Sequence, residues 1–203
     1  MAKFDGVFRR AKLADVAQLA ELVGFAGEGL PFCLWTQMAG LGGDPWEVGH
    51  KRWSSETTGI SYRNALIAEQ AGKTVAALIG YPLGEPEPIE HSEHALLVPL
   101  HELMNRAPNT WYVHVLAAYP QHRGHGIGAA LLAEADKLAE GAALSGLSLI
   151  VSDTNTGARR LYERSGYREA ARRKMVKQGW QHPGTDWILL IKAGLGLDGS
   201  FIP

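Results

Sequence analysis

Three glycines in five positions, Gly124, Gly126 and Gly128, stand between an apolar run from Trp111 to Ala118 and an amphipathic stretch from Gly126 to about Ala142. The first run reads as a strand. The second reads as a helix, with Ile127, Leu131, Ala135, Leu138 and Ala142 on one stripe. A strand that enters a helix through glycines exposes consecutive backbone N–H groups at the helix start. Those unpaired donors and the helix dipole favour a phosphate or pyrophosphate. Taken alone, the glycines fit a turn without a ligand equally well, so the rest of the chain has to decide.

The other segments organise around this one. Val7–Lys12 reads as a strand, followed by Leu13, Val16, Ala17, Ala20 and Val23 at helical spacing, with Gly24 at the expected end. Pro31 and Asp44-Pro45 mark two further helix starts. Asn64–Gln70 and Thr74–Tyr81 are apolar runs joined at Ala71-Gly72-Lys73, a hairpin by composition and loop length. Pro82–Glu93, rich in proline and glutamate, reads as an exposed loop, and Ala95–Met104 as a short helix. Leu147–Ser152 is a strand. Ala158, Leu161, Tyr162 and Ser165 mark a helix closed by Gly166, and Tyr167–Lys177 and Trp187–Lys192 two last strands. No repeat or linker divides the 203 residues, so one domain over 1–203 is expected.

Composition narrows the function. With 46% hydrophobic residues the chain can bury a core, which excludes disorder as its main state. Twenty Lys and Arg against 21 Asp and Glu leave a formal charge of −1, no reason to expect nucleic acid or an anionic membrane as a partner. The single Cys33 excludes an internal disulfide framework and a multi-cysteine zinc site. No apolar stretch approaches about 18 residues, and the first residues, with Arg9 and Arg10, lack the signal-peptide pattern. A cytoplasmic protein is the expectation.

About 25 residues beyond the glycines comes Asn155-x-x-Ala158-x-x-Leu161-Tyr162-x-x-x-Gly166-Tyr167, and the strand before them ends Leu116-Ala117-Ala118-x-Pro120. In combination these segments resemble the GNAT superfamily of acyl-CoA-dependent N-acetyltransferases. Arg123-x-x-Gly126-x-Gly128 is similar to that family's pyrophosphate signature, and Asn155–Tyr167 to its second characteristic segment. The resemblance covers residues 111–177 closely. It implies a mixed α/β (α+β) fold, a mostly antiparallel twisted sheet splayed at a central strand, with helices on both faces. It also implies acetyl-CoA as cosubstrate and no metal. Main-chain contacts to the cofactor would come from Leu116, Ala117 and Ala118, and phosphate contacts from Arg123, Gly124, His125, Gly126, Ile127 and Gly128.

The implied reaction is direct attack of a primary amine on the thioester in a ternary complex, without a covalent enzyme intermediate. Asn155 falls where the family holds the cofactor's pantetheine or amide, and it also suits the N-cap of the next helix. Tyr162 aligns with the tyrosine that protonates the leaving thiolate; a core aromatic is its plainer reading. The attacking amine needs a base, for which the family has no single residue. Tyr112, His114 and Leu116 share one face of their strand, and His114 is the leading candidate, with packing as the alternative. The acceptor, a small molecule or a peptide amine, would be walled by residues 25–62 and 178–186, where Trp35, Trp46, Trp53 and Trp180 offer aromatic faces. A homodimer is a further option, with the apolar tail Leu195–Pro203 as one contact.

Two rival readings carry their own signatures. Gly124-x-Gly126-x-x-Ala129 fits a dinucleotide-binding pattern, but Asp153 lies 29 positions beyond Gly124 where that fold places its acid at about 20. A non-catalytic acyl-CoA sensor would keep the cofactor segments and transfer nothing. His91, His94 and His101 cluster beside glutamates, yet His101-Glu102 is followed by Asn105 where a zinc protease motif needs histidine.

Overall fold

The computed structural model describes residues 4–194. The tail proposed as a dimer contact lies outside them. The described residues form two compact units that interleave along the sequence, 4–80 with 115–131 and 81–114 with 132–194.

The first unit holds β1 (Val7–Arg10), α1 (Val16–Ala26), α2 (Leu30–Ala39), α3 (Pro45–Trp53), β2 (Ala65–Gln70) and most of β3 (Lys73–Pro82). It also takes the end of β4 (Thr110–Ala118) and the start of α5 (Ile127–Gly141). β1 pairs antiparallel with β2 from Val7↔Glu69 to Arg10↔Leu66, and β2 pairs antiparallel with β3. The hairpin turns at Ala71 and Gly72, whose φ angles of 49° and 73° are the left-handed pair that a two-residue turn requires. On the other edge of β3, the Tyr119 N–H donates to the Val75 carbonyl at 3.0 Å. Leu19, Leu22 and Val23 of α1 bury against Trp35, Trp53, Ile67, Ile79, Val115 and Ala117.

Helix starts follow the local chemistry. Asp44 caps α3 by accepting from the Trp46 N–H at 2.9 Å, and Pro45 takes the first helical position, where a missing N–H costs nothing. α1 departs from expectation by running through Gly24 to Ala26. One glycine inside a helix costs about 1 kcal/mol, and burial of Leu22 and Val23 outweighs it.

An ion pair ties β1 to the entry of α1. Two Arg9 nitrogens donate to the Asp15 carboxylate at 2.8 Å each, the Lys12 N–H donates to it at 2.7 Å, and Arg9 Nε reaches Glu69 at 2.8 Å. Arg9 holds the buried Asp15 carboxyl below the usual carboxylate range. Because the folded pKa is depressed, the stabilisation is full above the ordinary Asp range and is lost as pH falls through the folded value. Asp15→Asn is expected to cost about 2–3 kcal/mol near neutral pH, because it leaves Arg9 without its main partner. Thermal melts should show a fall of roughly 5–10 °C, and the gap to the parent should shrink as the pH is lowered below the ordinary Asp range. Equal melting temperatures at neutral pH would contradict this role.

The second unit holds the end of β3, α4 (Val98–Met104), the start of β4, most of α5, β5 (Gly146–Ser152), α6 (Thr156–Arg164), β6 (Arg168–Lys174) and β7 (Asp186–Ala193). Leu83 and Thr110 join the ends of β3 and β4 through an N–H to carbonyl bond of 2.8 Å. β4 runs parallel to β5 over Thr110↔Gly146 to Val113↔Leu149. β5 pairs antiparallel with β7 along its whole length, and β7 with β6. The strand order is β1-β2-β3-β4-β5-β7-β6. A mixed, mostly antiparallel sheet is therefore the observed class, as expected. α4 is shorter than its sequence pattern, starting at Val98 with Pro99 in its first turn.

Candidate active site

In the first unit, the end of β4 alternates. Val115 and Ala117 enter the core, while Leu116 and Ala118 lie on the less buried face. The parallel ladder with β5 has its last pair at Val113↔Leu149, and β4 runs on to Ala118. Beyond it, Pro120–His122 makes one 3-10 turn and Arg123 is extended. Gly124 and Gly126 then take φ angles of 81° and 80°, a region where a side chain costs about 1–2 kcal/mol. The Ala130 N–H donates to the Gly126 carbonyl at 3.1 Å, so Gly126 caps α5. It brings no side-chain oxygen to the N–H groups of Ile127, Gly128 and Ala129, which have no acceptor within the helix. Arg123, Gly124 and His125 are exposed. Arg123 Nε donates to the Ala118 carbonyl at 3.1 Å, and its guanidinium sits 5.7 Å from the Phe25 ring centre.

In the second unit, Asn155 is the N-cap of α6, its Oδ1 accepting from the Ala158 N–H at 3.1 Å. Gly166, at φ 94°, ends that helix in the left-handed conformation that favours glycine. Tyr162 is 8% exposed, and its ring lies 5.8 Å from that of Tyr167. His114 is half-buried on β4, with the rings of Tyr81 and Tyr112 each 5.8 Å away. Burial pushes the Tyr81 phenol up to about 12 and raises Tyr112 further still. Tyr81 is the neighbour that sequence reasoning missed. Its place at the end of an apolar strand was legible, but its approach to His114, 33 residues away, depends on how β3 and β4 come together.

The tryptophans divide. Trp35 and Trp53 are 3% and 2% exposed and belong to the core of the first unit, so they form no wall; only Trp46, 39% exposed, offers a face, with Phe32 at 5.3 Å. Trp180 is also buried, stacked on Trp187 at 5.6 Å and on His182 at 4.5 Å. The arginines of β6 are ion-paired, Arg172 with Glu169 and Arg173 with Glu102. His101 pairs with Glu93 at 3.1 Å. Among the described residues no three His, Cys, Asp or Glu side chains are grouped to hold a metal ion, and no helix is long and apolar enough to cross a membrane.

This fold is that of acetyltransferases. One acetyltransferase crystal structure superposes with a TM-score of 0.62 at 20% identity, covering 93% of this chain and all of the other. An N-acetyltransferase from Staphylococcus aureus Mu50 gives 0.59 at 18% identity, covering 91% and 99%. A ribosomal-protein-alanine N-acetyltransferase from Brucella melitensis gives 0.58 at 22%, covering 92% and 99%. No curated protein matches the sequence significantly. The profile of the acetyltransferase (GNAT) family matches residues 37–167, well over half of the chain, and the chain belongs to that family. The dinucleotide-binding reading fails on topology. Its fold repeats parallel βαβ units, whereas here β1–β2, β2–β3, β5–β7 and β6–β7 pair antiparallel.

Proposed function

We propose that this protein is an N-acetyltransferase that moves an acetyl group from acetyl-CoA to a primary amine by direct attack, and that its 203 residues work as one catalytic domain. The observation that carries the reading is the glycine segment. Two left-handed glycine positions, 124 and 126, and a side-chain-free cap lead into the first N–H groups of α5, which the helix itself leaves without acceptors, the arrangement an anionic diphosphate needs. Family membership supplies the cofactor class.

In this reading the diphosphate of CoA is held by Arg123, Gly124, His125, Gly126, Ile127 and Gly128. The pantetheine arm follows main-chain groups of Leu116, Ala117 and Ala118, beyond the last pair of β4 with β5. Asn155 caps α6 and contacts the cofactor amide. The amine nitrogen forms the new bond to the acetyl carbon, a backbone N–H of β4 stabilises the oxyanion, and the C–S bond then breaks. The nitrogen's proton passes to His114, and Tyr162 gives a proton to the departing sulfur. Residues 25–62 and 178–186 wall the acceptor. Trp46 and Phe32 contribute an exposed aromatic surface to the first of these segments.

Purified protein with acetyl-CoA and a panel of primary amines, small molecules and peptide N-termini, is expected to release thiol with at least one acceptor. Calorimetry is expected to show binding of CoA and acetyl-CoA. Absence of binding heat at millimolar cofactor would overturn the assignment. Binding without thiol release across the panel would favour a non-catalytic acyl-CoA sensor.

A further inference from the structure

The rings of Tyr81, Tyr112 and His114 form a near-equilateral triangle in the second unit, with centres 5.7 Å apart for the tyrosines and 5.8 Å from each to the imidazole. At those distances the rings pack on one another and leave no room for a ligand between them. Their effect falls on the imidazole. Tyr81 Oη lies 3.4 Å from His114 Nδ1, a long contact between two groups that can each donate or accept.

We propose that Tyr81 is a positioning residue whose phenol oxygen accepts the Nδ1–H of His114, holding the imidazole in the tautomer that leaves the Nε2 lone pair to take a proton. This rests on the reading of His114 as the base. An imidazole that accepted the phenol's proton at Nδ1 would carry its own hydrogen on Nε2 and would have no free lone pair for an amine. A phenol also suits the task better than a carboxylate. A carboxylate would favour the imidazolium and keep the base charged, whereas a phenol that titrates only at about 12 remains a neutral acceptor at working pH. The imidazole is oriented and still sheds its proton between turnovers.

Tyr81→Phe removes the oxygen and keeps the ring that packs on Tyr112 and His114. Long-range proton–nitrogen NMR on uniformly 15N-labelled protein reads the tautomer directly, with His114 assigned by the signals lost in His114→Ala. The parent is expected to show the Nδ1–H form and Tyr81→Phe to move to the Nε2–H form. In steady-state kinetics at saturating acetyl-CoA, Tyr81→Phe is expected to lower kcat about tenfold, a part of the ~10²–10⁴ that a positioned base supplies, with the acceptor KM within twofold. An Nε2–H tautomer in the parent, or a Tyr81→Phe protein with unchanged tautomer and unchanged kcat, would overturn the proposal. An unchanged rate in His114→Ala would instead remove the base itself, while the substrate-free NMR measurement still judges the Tyr81 contact.

Discussion

Alanine at both Gly124 and Gly126 is expected to raise the Kd for CoA by roughly 100-fold, which corresponds to about 2.8 kcal/mol. Both positions have φ near 80°, and an L-residue held there costs about 1–2 kcal/mol, so two substitutions account for the change without any collision. At Gly124 the separation is clean, because a Cβ would meet no atom within 4 Å. The free loop relaxes to relieve that strain, and binding must then restore the conformation that aims the N–H groups of α5. Residues 123–125 are exposed, so the melting temperature should fall by only a few degrees. Calorimetric titration with CoA checks the loss. A Kd within twofold of the parent would show that the glycines make a turn and nothing more. Because these groups bind and do not react, kcat at saturating acetyl-CoA should change far less than Kd.

Tyr162→Phe is expected to lower kcat by about 10²–10³-fold, the range typical of losing a positioned proton donor, with CoA affinity almost unchanged. The substitution keeps the ring beside Tyr167, 5.8 Å between centres, and deletes one oxygen. A packing role alone therefore predicts full activity. Pre-steady-state and steady-state thiol release, compared with the parent at saturating acceptor, separates the two roles. An acyl donor with a more acidic thiol needs less help in leaving, so it should narrow the gap between Tyr162→Phe and the parent. A kcat within twofold of the parent would end the acid assignment for this residue.

The elements with local causes were legible before any coordinates. The hairpin at Ala71-Gly72 follows from a turn that tolerates left-handed residues between two apolar runs, and α3 from an Asp-Pro start. The glycine segment and the Asn155–Tyr167 segment were legible because each combines a cap, a helix stripe and an unusual backbone within a few residues. Helix ends were read less well. Gly24 looks like a stop in one dimension, yet the helix continues because its neighbours are buried. The tryptophans were not separable by sequence at all. Trp35 and Trp46 lie in one region, and only the packing of α2 against α3 in the first unit buries one and leaves the other exposed.

Local chemistry thus determined that this chain carries a strand, a glycine loop suited to an anion, a capped helix bearing Tyr162, and an antiparallel hairpin before them. Tertiary structure alone decided that Arg9 meets Asp15 and Glu69, that Trp35 and Trp53 are buried, and that Tyr81 stands 3.4 Å from His114. Turn and cap preferences act over a few bonds and leave their mark in neighbouring residues. Contacts between distant strands are set by register and burial across the sheet, which no short stretch of sequence specifies.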